Sequence, residues 1–254
     1  KFIVENVIQP LVLGEDPLNK EHIWQKVYNL LRDSGQKGMP IQALSGVDIA
    51  LWDILGRKTN TPLYQLVGGK CNSEIPVYGY GMMLQKKPVD ELISLFKEES
   101  KQIKYKKFKA MKMKVGFGPT EDLKLVQSVR DSIGKDFKLM VDANHAYNLK
   151  DALYVGKGLD ELDVYWFEEP VPSNQLEAMR HLTLHSGHRI AGGEALFGRE
   201  QFWDYISDSL VHVIMPDVKH AGGITECRRI AAMAEVRQIP IAPHSPAWPI
   251  SSMA

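Results

Sequence analysis

The sequence predicts an α/β fold in which parallel strands alternate with amphipathic helices and curl toward a barrel. Three observations carry this. From about residue 75, short apolar runs alternate with helical stretches, the pattern of parallel βα units. The repeat is even, about 25–30 residues per unit, which matches an α/β barrel. An ionisable residue also stands at the C-terminal end of each strand from the second to the seventh, the end at which such barrels collect their chemistry. An open doubly wound sheet has the same alternation, but it calls for a G-x-G-x-x-G turn after an early strand. The sequence has none there.

Residues 1–68 read as helical. The stretch "DPLNKEHIWQKVYNLLRDSG" offers Asp16 as an N-cap, Pro17 at the first helical position and Gly35 as a stop. Its apolar Ile23, Val27, Leu30 and Leu31 recur at helical spacing. A second helix fits "IQALSGVDIALWDILGRK", with Ala43, Val47, Ala50, Leu51, Ile54 and Leu55 on one stripe. Strands are expected at 75–81, 107–115, 138–144, 164–170, 189–195, 212–218 and 239–245. Helices such as "PVDELISLFKEESKQI", "TEDLKLVQSVRDSIG", "LKDALYVGKGLDEL" and "GGITECRRIAAMAEVRQ" lie between them. The strand count stops at seven and no initiator methionine opens the chain, so a longer protein is expected.

Apolar content of 44% and charged content of 24% over 254 residues are ordinary for a globular protein. Lys+Arg and Asp+Glu both number 31. Without a basic excess, no nucleic acid or anionic membrane partner is expected. No apolar run approaches the ~20 residues of a membrane span, and no secretory signal opens the chain. The two cysteines, Cys71 and Cys227, are too few for a disulfide framework and fit a reducing, cytoplasmic setting.

The strand ends carry Lys112 and Lys114, then Asp142 and Asn144, Glu168 and Glu169, Glu194, Asp217 and His244. Asp142, Glu168 and Glu194 are each 26 positions apart, one βα unit, so parallel strands bring three carboxylates side by side. Three packed anions repel unless a cation joins them, and an all-oxygen set of this kind fits Mg²⁺. Strand alternation turns Glu169 away from Glu168, leaving it a supporting role. Asp217 and His244 end neighbouring strands, where a carboxylate can fix an imidazole's tautomer and stabilise its protonated form, as a general acid–base requires. Lys112 and Lys114 share one strand face while Met111, Met113 and Val115 share the other. The apolar set is expected to pack outward and the lysines to project inward, each depressing the other's pKa.

These motifs resemble the mandelate racemase branch of the enolase superfamily over nearly the whole chain. "ALSGVDIALWDILGRKTNTPLYQLVGG" is similar to its capping-region stretch, "KMK" to its Lys-x-Lys motif, and "VDAN", "WFEEP" and "GGE" to its metal-ligand strands. "MPDVKHAGGIT" and "APHS" are similar to its Asp and His strands. The resemblance implies a modified TIM barrel, (β/α)7β, here incomplete at the C-terminus, under a partial α+β capping domain. The division falls at a mostly helical 1–70 and a barrel at 71–254. It implies Mg²⁺ on Asp142, Glu168 and Glu194, and α-proton abstraction from a carboxylate substrate to give an enediolate. Lys114 is then one base, assisted by Lys112, and His244, oriented by Asp217, serves the opposite face. Asn144 and His220 would contact the substrate, a small acid sugar or α-hydroxy acid. His220 stands beside Lys219 where a lactonizing relative carries a further lysine. A homo-oligomer is implied as well. Loss of a β-hydroxyl gives an acid-sugar dehydratase, reprotonation a racemase or epimerase. A non-catalytic metal- or sugar-acid-binding protein is the expectation from another class.

Overall fold

A computed structural model describes residues 1–83, 85, 87–105 and 108–245. In chain order, a π-type turn (Val4–Ile8) leads into α1 (Gln9–Val12), α2 (Lys20–Leu30), a 3-10 turn (Leu31–Ser34), α3 (Met39–Thr59) and α4 (Leu63–Leu66). Strands and helices then alternate: β1 (Gly79–Tyr80), α5 (Val89–Tyr105), β2 (Ala110–Lys114), α6 (Pro119–Ile133), β3 (Lys138–Asp142) and α7 (Leu149–Glu161). They continue as β4 (Val164–Glu168), α8 (Leu176–His185), β5 (Arg189–Gly192), α9 (Gly198–Ser207), β6 (Val213–Ile214) and α10 (Gly223–Val236). The chain divides into two compact units, one of residues 75–192 and 208–213, the other of 1–74, 193–207 and 214 onward.

In the first unit the paired strands are parallel and follow one another in sequence order, β1-β2-β3-β4-β5-β6. No strand is inserted out of turn, as a doubly wound sheet would require. The sheet does not close among the described residues. The strands are buried over most of their length, with Tyr80, Lys138 and Arg189 exposed at strand ends. In β2 and just beyond it, Met111, Met113 and Val115 are fully buried. Helix α6 begins with Pro119 at its first position and Glu121 and Asp122 in its first turn, all favourable at a helix N-terminus. It buries Leu125, Val126, Val129 and Ile133. Arg130, also buried, donates to the carbonyls of Leu162, Gly134, Phe137 and Asp163. One guanidinium thus satisfies the loop carbonyls that lead into β3 and β4. Gly79 must be glycine, because a Cβ there would lie 2.2 Å from Ile103 Cγ2.

The second unit is built around Ile8, Trp24, Val27, Leu31, Ile41 and Leu44. The sequence stripe for α3 is rotated in the structure. Its buried residues are Ile41, Leu44, Ser45, Asp48, Leu51 and Trp52, while Ala50 and Ile54 are exposed. The reason is the start of α10, whose first N–H groups have no partner within their own helix. Ser45 Oγ accepts from Gly222 N at 3.0 Å, and Asp48 Oδ2 accepts from Thr225 N at 3.0 Å. Trp24 Nε1 donates to Gly222 O at 2.8 Å and Trp52 Nε1 to Thr225 Oγ1 at 2.9 Å. Two polar residues are buried because they cap another helix.

Other expectations are also corrected. Asp16 does not cap α2. It accepts from Leu18 N at 3.0 Å in a turn that holds Pro17, and the helix begins at Lys20 after Asn19. The strands are shorter than the apolar runs. The seventh segment, 239–245, pairs in parallel only through bridges at Ile241 with Ile214 and His244 with Asp217. Pro216, Pro240 and Pro243 have no N–H to give a ladder. Pro216 and Pro240 instead accept, from His244 N and Ile214 N, each at 3.0 Å. No helix of the described residues is long and apolar enough to cross a membrane.

Candidate active site

Sheet register sets the first cluster. Lys114 pairs with Asp142, and Asp142 with Glu168, so all three stand in one row at the C-terminal ends of adjacent strands. One pleat below, Tyr80 pairs with Lys112, Lys112 with Met140, and Met140 with Trp166. Residues two apart share a face, so both rows point the same way.

The lysines do project into this cluster, and they are buried there. Lys114 Nζ donates to Asp142 Oδ2 and to Asn144 Oδ1, both at 2.5 Å. Lys112 Nζ lies 3.0 Å from Asp142 Oδ2 and pairs with Glu168 Oε1. Trp166 Nε1 donates to Glu168 Oε2 at 3.2 Å, and Asn144 N to Asp142 Oδ1 at 3.0 Å. Lys112 thus bridges the Asp142 and Glu168 carboxylates.

For Lys112 this reverses the expected electrostatics. Burial works to lower the Lys112 pKa, but the Glu168 and Asp142 carboxylates outweigh it and raise the value above the ordinary lysine range. Burial likewise works to raise Asp142, and Lys112 and Lys114 bring it below the usual carboxylate range. Above the ammonium groups lie aromatic faces. Lys112 Nζ is 5.6 Å from the Tyr80 ring centre and 6.0 Å from that of Tyr78, and Lys114 Nζ is 5.8 Å from Tyr80, within cation–π range.

The loops after β3 and β4 hold a pair absent from the expected site. His145 Nε2 lies 2.7 Å from Glu169 Oε2. Asn144, His145 and Glu169 all have left-handed φ, at 43°, 64° and 43°, a cluster of backbone strain of the kind found at functional sites. Glu169 lies just beyond β4, where its left-handed backbone ends the strand.

The second unit holds the other expected groups. His244 Nδ1 is 2.9 Å from Asp217 Oδ2, and its Nε2 is 3.0 Å from Glu194 Oε2. Burial works to lower the His244 pKa, but these carboxylates outweigh it and raise it to about 9. Burial works to raise Asp217, whereas its bonds to His244 and to Lys219 N bring it below the usual carboxylate range. His220 stacks on Phe197, ring centres 6.0 Å apart.

Two parts of the sequence match known protein families. The family described as "Enolase C-terminal domain-like" matches residues 96–254, and "Mandelate racemase / muconate lactonizing enzyme, N-terminal domain" matches residues 1–68. The chain belongs to the mandelate racemase / muconate lactonizing enzyme family of the enolase superfamily. It is 37% identical to a D-galactarolactone cycloisomerase of Agrobacterium fabrum, covering 92% of this chain and 61% of that protein. It is 34% identical to an arabinonate dehydratase of Saccharolobus solfataricus, covering 98% of this chain and 66% of that one. Among solved structures, a racemase from Streptomyces coelicolor A3(2) with bound magnesium superposes with a TM-score of 0.89 at 35% identity, covering 96% of this chain and 67% of that one. The chain thus spans about three fifths to two thirds of the curated relatives' length.

Within this family frame, the motif reading did not select Trp166, Tyr78, Tyr80 or His145. For three of them a signal was present. Trp166 is two residues before Glu168, and Tyr78 and Tyr80 alternate along one strand, so each shares a face with a residue at the site.

Proposed function

We propose that this protein removes the α-proton of a small sugar-acid carboxylate in a Mg²⁺-dependent reaction and then expels the β-oxygen, most simply as water. The observation that carries the proposal is Lys114 Nζ, held between Asp142 and Asn144 in the row that also bears Glu168. The donor chemistry of Asp142 and Glu168, anionic oxygens in one row, fits a hard divalent cation. Their spacing in sequence with Glu194, and the magnesium in the racemase relative, support Asp142, Glu168 and Glu194 as its holders. When bound, the ion supplies positive charge against the negative charge that develops on the substrate carboxylate.

The chain's own residues divide the remaining work. Lys114 Nζ, placed between Asp142 and Asn144, is the group that takes the α-proton. Lys112 holds two carboxylates and keeps its charge. Asn144 offers an amide to a substrate hydroxyl, with His220 a further substrate contact. His244, fixed by Asp217, presents a proton at Nε2 to the departing oxygen. Its partner there, Glu194, would be one of the residues holding the cation. A capping segment at 1–70 and a barrel segment at 71–254 are supported by the two family matches. The two free cysteines support a cytoplasmic setting, and a homo-oligomer belongs to the same reading.

The cycloisomerase relative favours a second reading of the same step. If the β-oxygen belongs to a ring, its expulsion opens the ring and no atoms are lost. The test is a panel of sugar acids and their lactones, incubated with the gene product and Mg²⁺ in deuterated water. Deuterium is expected at the β-carbon of the product, where the enol left by loss of the α-proton and the β-oxygen ketonises, with one water lost in dehydration and none in ring opening. Lys114→Ala and His244→Asn assign the two faces. Binding without exchange across the panel would instead mark a non-catalytic sugar-acid-binding protein.

A further inference from the structure

We infer that His181 and His185, on the exposed face of α8, form a binding site for a divalent transition-metal ion, independent of the carboxylate site. The two histidines in "HLTLH" are four residues apart on a ten-residue helix, so they lie one above the other on the same face. Both are exposed, and their ring centres are 4.2 Å apart at an interplanar angle of 25°.

A second observation fixes the chemistry. His185 Nδ1 lies 2.7 Å from the His181 carbonyl oxygen. A carbonyl can only accept, so Nδ1 carries the hydrogen and the neutral ring keeps its lone pair on Nε2. An imidazole tied through one nitrogen to a backbone carbonyl, with the other left to coordinate, is the usual condition of a metal-ligating histidine. Glu177 is one turn earlier on the same face and exposed. Its nearest cation is Arg180 at 3.7 Å, and Arg180 is itself held by Asp208 at 2.5 Å. A carboxylate is therefore at hand as a third ligand.

Two imidazole nitrogens select Cu²⁺, Ni²⁺ or Zn²⁺ over Mg²⁺, with Cu²⁺ held most tightly. His185 keeps its carbonyl contact while the exposed His181 side chain turns, so that each Nε2 can approach a shared ion to the roughly 2.0–2.1 Å of a metal–imidazole bond. The carboxylate cluster of β3 and β4 offers oxygens and takes the opposite preference.

The test uses the gene product stripped of metal and then held in excess Mg²⁺, which occupies the oxygen site. Calorimetric titration with Cu²⁺ and with Zn²⁺ is expected to show one ion per chain. His181→Ala and His185→Ala should each weaken binding by more than the roughly 10–100-fold that loss of an outer-sphere partner costs. His22→Ala and Asp142→Asn should leave it unchanged. The copper-loaded protein should show two nitrogen ligands by electron paramagnetic resonance, and one in either single variant. Unchanged affinity in both α8 variants, loss of the ion in Asp142→Asn, or no binding by the parent protein overturns the inference. Circular dichroism checks that each surface variant is folded.

Discussion

Replacing Asp122 with Ala is expected to be among the most damaging changes in the barrel segment. Its carboxylate is fully buried and gathers four donors. Oδ1 accepts from Gly116 N at 3.0 Å and Phe117 N at 3.2 Å, and Oδ2 from Gly118 N at 3.0 Å and Tyr147 OH at 2.5 Å. This anion ties the turn after Lys114 to the segment that carries Asn144, and the two loops already touch. A Cβ at Gly116 would lie 2.8 Å from Ala146 Cβ. Hydrogen bonds to a charged group contribute about 1.5–3 kcal/mol each. They are not additive, and water reaches the half-buried N–H groups of the turn once the carboxylate is gone. We therefore expect a loss of about 3 kcal/mol for Asp122→Ala and about 1.5 kcal/mol for Tyr147→Phe. For a chain of this size the first corresponds to a fall of about 6–12 °C in Tm. Urea denaturation followed by circular dichroism, on both single variants and the double, measures each value and their coupling. An Asp122→Ala loss below about 1 kcal/mol, or a coupling with Tyr147 below about 0.5 kcal/mol, would refute the clamp.

Asp48→Asn tests the buried carboxylate of α3. Burial raises the Asp48 pKa, so its protonated form is favoured in the folded state and stability is lost as pH rises from the ordinary carboxylate range through the folded value. The parent protein should lose stability relative to Asp48→Asn as pH rises above the ordinary carboxylate range, and a parallel profile in urea midpoints would contradict this. Lys112→Met in a chelator leaves Glu168 and Asp142 short of a buried counter-charge and should cost about 3–5 kcal/mol. A loss under 1 kcal/mol would show that the ammonium is not what holds these carboxylates together. Among the thiols, Cys71 is exposed and Cys227 is partly buried, pushed up to about 12 by that burial with Asp217, Glu226 and Asp48 adding to it. At pH 8 a thiol reagent should modify one cysteine quickly and the second only after denaturation. Two fast equivalents would contradict the burial.

The order of strands and helices and the residues at the strand ends were legible because they follow from local rules. Period-two alternation places Lys112 with Lys114, and an even βα repeat places Asp142 beside Glu168. What depended on distant partners was hidden. Nothing near Ser45 and Asp48 in sequence says that they face inward, because the groups they satisfy belong to Gly222 and Thr225. The lysine pKa argument counted the like charge two residues away and missed the carboxylates across the register. The seventh strand was overextended because its apolar run hides prolines that cannot donate. His145 carried no signal, since its place opposite Glu169 depends on left-handed turns that neither residue type announces.

The second unit has a consequence for how the polypeptide acquires its structure. Ser45 waits for Gly222 and Asp48 for Thr225, each 177 residues later, and Trp24 for Gly222, 198 residues later. At synthesis rates of roughly 5–20 residues per second, the first of these intervals lasts about 9–35 s on the ribosome. Throughout it, α3 carries a serine, a carboxylate and the indole of Trp52 whose partners do not yet exist. The helical region before residue 75 is made well before its partners in α10 and is completed only after they emerge. A nascent chain halted before α10 should expose that helix face to chaperones, whereas residues 75–192 have their strand neighbours within one βα unit and can settle as they emerge.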